Sequence, residues 1–426
     1  MKILIIGSGG REHAIGIKIF EQNKNVKIYF APGNGGILQI GENVILDVEN
    51  HQSVIEFCFQ NEIDLVIIGP EQPLVNGIAD DLRNAGINVF GPSKNAARIE
   101  GDKSFAKNLM NKYGVPTASH KTFKNLEIEN AIDYLSNGKF PIVIKASGLA
   151  AGKGVIIAND FNEAKSAIID IIQNSIFGSA GEKVVIEEFL EGEEISVFVI
   201  TDGKDFVILP PAQDHKRIGD GDTGKNTGGM GAYSPISFVN DKLLEEIKSK
   251  VIIPTLKGLE NSDSLFNGCL YCGLINTKDG IKVIEFNCRF GDPETQAVLQ
   301  IVDGDFLELL NSTAKGKINK EIVKYNGGSA ICVVVASGGY PDNYEKGFEI
   351  FGLNEKFDEN VKVIHAGTKF ENKRILTSGG RVLNIVAFDK QNDLKYCKSK
   401  AYKVLDKVKF EKMYFRRDIG FKAIKF

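Results

Sequence analysis

Short apolar runs alternate with helical stretches through the first hundred residues, and that alternation leaves few folds open to the chain. Ile3 to Ile6 reads as a buried strand, and Glu12 to Phe20 as a helix that starts in a glycine loop. Val26 to Phe30 is a strand, Val54 to Gln60 helical, and Asp64 to Ile68 a strand. Ile78 to Ala85 is helical, and Asn88 to Phe90 closes the series before Gly91-Pro92. Strands separated by helices must cross over and lie parallel, so the expectation is an α/β chain with an amino-terminal doubly wound parallel sheet.

The glycine loop, Gly7-Ser8-Gly9-Gly10-Arg11-Glu12, invites a dinucleotide site but does not fit one. Glu12 stands at the third glycine's position. The second strand ends in Ala31-Pro32-Gly33-Asn34, where NAD binders place an acidic residue. The glycines still bring open backbone N–H groups and a helix N-terminus close to an anion, and a mononucleotide-sized phosphate fits.

Three further segments carry chemistry. Pro141 to Lys145 is an apolar strand ending in a lysine, followed by Ala146-Ser147-Gly148-Leu149-Ala150-Ala151-Gly152-Lys153-Gly154 and a second apolar run, Val155 to Ala158. Two strands joined by a glycine-rich turn can place N–H groups and a mobile cation over a phosphate chain. This is not a Walker A loop. Three residues separate Gly148 from Gly152, Gly154 follows the lysine, and a strand follows in place of a helix. Next, Val184 to Glu188 runs into an acidic connector, Phe189 to Glu194, and then the strand Ile195 to Ile200. Such a connector offers backbone groups to an adenine edge and carboxylates to ribose hydroxyls. Last, Val283 to Arg289 alternates with period two, which predicts Glu285, Asn287 and Arg289 on one strand face and Ile284, Phe286 and Cys288 on the other. A carboxylate, an amide oxygen and a guanidinium together suit a Mg²⁺–polyphosphate site.

The order of these parts, with Arg289-Phe290-Gly291-Asp292-Pro293-Glu294 closing the series, resembles the ATP-grasp superfamily. Longer motifs narrow the match: Gly7 to Ala14, Gly69-Pro70-Glu71-Gln72-Pro73-Leu74, Gln213-Asp214-His215-Lys216-Arg217, Asn226 to Pro235, His365-Ala366-Gly367-Thr368, and the tail Arg416 to Gly420. Together they resemble the phosphoribosylamine–glycine ligases, also called glycinamide ribonucleotide synthetases, of purine biosynthesis.

That resemblance implies ATP-dependent joining of glycine to 5-phosphoribosylamine through a glycyl phosphate, with Mg²⁺ or Mn²⁺ as metal. It implies Glu285 and Asn287 as metal ligands, and Lys103, Lys145 and Lys153 facing phosphates. Glu187, Glu188, Phe189 and Leu190 would hold adenine, and Glu194 the ribose. Arg289, with Lys145, would stabilise the transferring group. Asp214 and Asp292 are candidates for the glycine ammonium, with Glu71 and Lys216 also substrate-facing. Gly9, Gly10 and Arg11 are candidates for the phosphoribosyl phosphate. His13 and His215 are expected to be loop residues, not general bases. A biotin or aminoimidazole-ribonucleotide carboxylase would keep the ATP site but take bicarbonate, and the Asp214 to Arg217 and Asn226 to Gly231 stretches argue against it. A non-catalytic nucleotide-binding module is disfavoured by the intact Glu285, Asn287, Lys145 and Arg289.

The implied domains are 1–101, binding phosphoribosylamine; 102–326, the ATP-grasp body with a lid at about 117–188; and 327–426, a carboxy-terminal α/β domain. In the last, Ser329 to Ala336 and Gly380 to Phe388 read as strands and Asn392 to Val408 as a helix. A helix is expected over Asp102 to Tyr113. Gln213 to Pro235, rich in glycine and charge, reads as a long functional loop.

At 426 residues the chain can form two to four domains, and a net charge of −3 supplies no bulk positive field for nucleic acid. The start, Met1 to Gly7, is too short an apolar run for a signal peptide, and no run of about 18 apolar residues suggests a membrane span. Six cysteines inside apolar segments speak against a disulfide framework and for the cytoplasm. Cys269 and Cys272 have metal-like spacing but lie in a strand pattern, so packing is the expectation. A monomer is expected, with small-molecule substrates as its partners.

Overall fold

The computed structural model describes residues 1–150 and 152–424. The amino-terminal sheet is parallel throughout, in the order Glu42–Asn43, Lys27–Pro32, Lys2–Gly7, Leu65–Ile68, Val89–Phe90. The first strand lies at its centre, with Ile3, Leu4 and Ile5 wholly buried, because both faces are covered and every side chain of the strand must be apolar. The first helix runs Gly10–Gln22 and the second His51–Asn61, the latter capped by the Asn50 side chain. Within residues 1–101 two short helices escaped the sequence reading, Glu71–Asn76 and Lys94–Gly101.

The segment expected to form the lid is a four-stranded antiparallel sheet in the order His120–Lys124, Lys183–Glu188, Ile142–Ala146, Val155–Ala158. Helices Ile128–Ser136 and Phe161–Ile168 cover one face, and Ile142, Ile144, Ala146, Val184 and Ile186 build a core with them. The alternate residues Lys145 and Glu187 therefore project from the opposite face. The chain leaves the lid at Glu188 and enters a second antiparallel sheet at Glu193, ordered Phe206–Ile208, Glu193–Thr201, Gly268–Thr277, Gly280–Asn287.

The carboxy-terminal sheet is antiparallel and runs Gln213–Asp214, Gly231–Ser234, Ser329–Ser337, Arg381–Asp389, Val361–His365, with Met413–Tyr414 beside Ser329–Ser337. Helix Leu394–Leu405 packs on it. Here the reading of Gln213 to Pro235 as an unstructured loop is corrected. The segment supplies two strands of this sheet and a separate hairpin, Arg217–Gly219 with Thr223–Asn226. Strands of two to four residues made of glycine and charge carry no hydrophobic period, so the pattern could not announce them.

One strand departs from strict alternation. Gly273 pairs with Glu285 and Leu274 with Val283, so Ile284 is the extra residue of a bulge. Val283 and Phe286 are buried, whereas Ile284 is only half-buried and lies outside the core, contrary to the expected apolar face. Thiols Cys269 and Cys272, three apart on one strand, enter two different cores on opposite faces of their sheet and cannot share a metal ion.

Candidate functional site

Lid and body meet in a knot of buried charge. Lys145 is 4% exposed; its Nζ donates to the Ile284 carbonyl at 3.1 Å and pairs with Glu187 Oε2 at 2.9 Å. The bulge thus frees a carbonyl that holds the lysine. Lys107, from helix Lys103–Tyr113, pairs with the same Glu187 oxygen at 3.2 Å and donates to Thr117 Oγ1. Burial pulls the Lys107 amine down to about 8 despite the neighbouring carboxylate. Glu187 Oε1 is sealed from solvent with no hydrogen-bond partner among the described residues. Lys103 opens its helix beneath the Asp102 cap and donates Nζ to the Gly148 carbonyl at 3.0 Å. Lys153 is exposed at the hairpin tip, outside this knot, and Ala151 beside it lies outside the described residues.

Glu285 sits at the centre. Burial pushes its carboxyl up, but the combined field of Lys216, Lys145, Lys103 and Arg289 outweighs burial and holds it below the usual carboxylate range. Despite four neighbouring cations, Glu285 makes no ion pair within 4 Å among the described residues, so its oxygens stay open. Among the described residues the Asn287 side chain accepts only a long 3.4 Å contact from Arg289 Nη2. Arg289 lies just beyond the strand and is gripped by Glu71 at 3.2 Å and Glu100 at 3.0 Å. Among the described residues no three His, Cys, Asp or Glu side chains stand together as a metal cage. An open carboxylate and an amide oxygen amid excess positive charge fit a hard cation that shares its ligands with phosphate oxygens, as Mg²⁺ commonly does.

A second group lines the side formed by the carboxy-terminal sheet. Lys216 Nζ pairs with Glu194 Oε2 at 2.6 Å. Asp214 Oδ1 is sealed and, among the described residues, without a partner; burial and the nearby Glu294 carboxylate push the Asp214 carboxyl well above its usual range, against the pull of Lys216. Glu294 is 3% exposed and accepts from Ser196 Oγ at 3.0 Å and Tyr271 Oη at 2.8 Å. Asp292 is committed differently. Its Oδ1 receives Gln296 and pairs with Arg381 at 3.3 Å, and its Oδ2 receives the Arg11 amide at 3.2 Å. Of the two aspartates proposed for an ammonium, only Asp214 keeps an unclaimed oxygen.

The amino-terminal loop is similarly occupied. Gly9 donates its amide to Glu12 Oε2 at 2.6 Å, and the Arg11 guanidinium is held by Glu12 Oε1 and the Phe290 carbonyl. A side chain on Gly10 would collide with the amide groups of Asn384 and Gln296. The hinge residues differ among themselves. Glu188 receives the Ser119 amide and pairs with Lys282, Phe189 is exposed, and Leu190 is half-buried. His13 accepts the His365 amide on Nδ1, and His215 accepts the Gly420 amide on Nε2; both are buried. Sequence reasoning missed Glu100, Lys107, Glu294 and Arg381. Of these only Glu294 lay in a quoted motif, and the others act through tertiary neighbours that no local pattern reveals.

Three family models match the chain: phosphoribosylglycinamide synthetase N domain over residues 1–100, its ATP-grasp (A) domain over 101–295, and its C domain over 330–422. A phosphoribosylamine–glycine ligase of Caldanaerobacter subterraneus is 45% identical over 99% of both chains. A crystal structure of a phosphoribosylamine–glycine ligase from Thermotoga maritima superposes with a TM-score of 0.84 at 34% identity, covering 99% of this chain and all of the other. A biotin carboxylase from Campylobacter jejuni shares the fold alone, with a TM-score of 0.73 at 16% identity, 97% of this chain and 92% of that one.

Proposed function

The chain belongs to the phosphoribosylglycinamide synthetase family, and on that premise we propose how its residues join glycine to 5-phosphoribosylamine with ATP in de novo purine biosynthesis. A carboxylate resists nucleophiles because its own charge repels them. A glycine carboxylate oxygen attacks the γ-phosphorus, ADP leaves, and glycyl phosphate forms. The ribosyl amine then attacks the acyl carbon, the C–O bond breaks, and phosphate departs with that oxygen. The protein's task is positioning and neutralisation of charge.

The observation that carries this reading is the open Glu285 carboxylate amid Lys103, Lys145, Lys216 and Arg289. Glu285 and Asn287 would ligate Mg²⁺ or Mn²⁺, which would draw charge from the phosphate oxygens. Lys103 and Lys145 neutralise phosphates, and Lys153 reaches them from the hairpin. Glu187 to Leu190 receive adenine, Glu187 offering its unclaimed oxygen, and Glu194 the ribose. Arg289, steadied by Glu71 and Glu100, faces the acyl phosphate. Asp214 takes the glycine ammonium, whose charge would relieve the repulsion from Glu294, and Lys216 neutralises the substrate carboxylate side. Gly9, Gly10, Arg11 and Asp292 form the phosphoribosylamine side.

We assign 1–101 to phosphoribosylamine, 102–326 to the ATP-grasp body with its lid at about 117–188, and 327–426 to the carboxy-terminal domain. The protein is taken to act as a cytoplasmic monomer. Among the described residues no helix is long and apolar enough to cross a membrane. Glycine labelled with ¹⁸O in its carboxylate tests the intermediate. One labelled oxygen per turnover should appear in phosphate, and unlabelled phosphate would exclude glycyl phosphate.

A further inference from the structure

The carboxy-terminal segment closes over the back of the stretch that carries Asp214, at the end of the strand Gln213–Asp214, and Lys216 just beyond it. Those two side chains point into the site; His215 between them points the other way and is wholly buried. Its Nε2 accepts the Gly420 amide at 3.0 Å, which leaves the proton on Nδ1, facing Asp222 Oδ1 at 3.7 Å, and its ring packs on Phe421. Arg416, also wholly buried, donates to both oxygens of Asp418 at 2.8 and 2.7 Å, to Asp222 Oδ1 at 2.8 Å and to the Arg217 carbonyl at 3.0 Å. The grip extends along the segment. Asp418 receives the Gly221 amide, Asp220 receives the Arg417 amide, Tyr414 donates to the Ile218 carbonyl, and Lys422 pairs with Asp222. Ile419 lies so close to Gly231, the strand partner of this edge, that a side chain there would strike it.

These contacts join residues some two hundred positions apart and converge on residues 215–222, the stretch that directly continues the edge strand Gln213–Asp214, itself of two residues and too short to hold its own register. We infer that Arg416 and His215 are positioning residues: the carboxy-terminal segment sets where Asp214 and Lys216 stand, and so sets the affinity for glycine. The inference rests on the reading of Asp214 as the ammonium partner. Neither Arg416 nor His215 touches substrate in this account.

Steady-state kinetics on the full chain test it. Arg416→Gln and His215→Phe should raise the KM for glycine about tenfold or more with a smaller change in kcat. His215→Gln, which keeps an acceptor near the Nε2 position for the Gly420 amide, should restore most of the loss. Guanidinium ion added to Arg416→Ala should lower its glycine KM. A thermal melt accompanies each variant, and a lowered Tm with wild-type glycine KM would reduce the segment to a stability element and overturn the inference. Asp214→Asn separates the two claims. A wild-type glycine KM in that variant would defeat the ammonium reading itself. A raised KM there, with wild-type values in Arg416→Gln and His215→Phe, would defeat only the positioning role.

Discussion

Residue by residue, the charges of the site divide into those that stay open and those that are paired. Glu285 is ionised and unclaimed; Glu187, also acidic and in the same knot, spends one oxygen on Lys145 and Lys107. Glu285→Ala should therefore cut kcat about a hundredfold or more while the fold survives, since it would remove the proposed metal ligand without orphaning a buried partner. Circular dichroism and turnover at varied Mg²⁺ check this, and full activity at low Mg²⁺ would place the metal elsewhere. The buried histidines make a different prediction. Burial holds His13 at about 3 and His365 at about 4, below the ordinary 6.5, and the His13 ring must stay neutral to accept the His365 amide. Between about pH 6.5 and 4 the unfolded chain binds protons that the folded chain refuses. Stability should fall on acidification through that window by about 1.4 kcal/mol per pH unit for each ring. His13→Asn keeps an acceptor but cannot titrate, so its urea midpoint should fall less steeply with pH than the wild type's. An unchanged slope would contradict the assignment.

Among the elements, local pattern gave four of the five parallel strands, the lysine hairpin and the Glu285 strand, because each carries an apolar period that burial enforces, whereas the exposed edge strand Glu42–Asn43 carries none. It did not give the bulge at Ile284, which is a backbone choice with no residue signature, although that bulge supplies the carbonyl for Lys145. Nor did it give the strands within 213–234, whose order comes from residues 414–422 and the carboxy-terminal sheet. The glycine loop carries a packing constraint beside its proposed role at the phosphate. Gly10 reads as an open approach for phosphate, yet its nearest neighbours are the Asn384 and Gln296 amides from the other two domains. Gly10→Ala should therefore destabilise the protein by about 1–3 kcal/mol through overpacking, seen as a lower urea midpoint. A wild-type midpoint with a raised KM for phosphoribosylamine would leave phosphate approach as the glycine's role and contradict the packing constraint.

At the scale of the whole molecule, the site belongs to no single domain. The lid brings Lys145 and Glu187, the body Glu285, Asn287 and Glu294, the carboxy-terminal sheet Asp214 and Arg381, and the amino-terminal domain Arg11 and Glu71. Lys145, Lys103, Lys216 and Arg289, from separate elements, converge on one open carboxylate, so ATP, metal and glycine are expected to complete the charge balance together. The fold alone does not choose the substrate, since a biotin carboxylase shares it at 16% identity. The direct measurement is ADP release with Mg²⁺, glycine and phosphoribosylamine each omitted in turn. Useful turnover only when all three are present is the predicted result. Equally fast ADP release with bicarbonate in place of glycine would contradict the account.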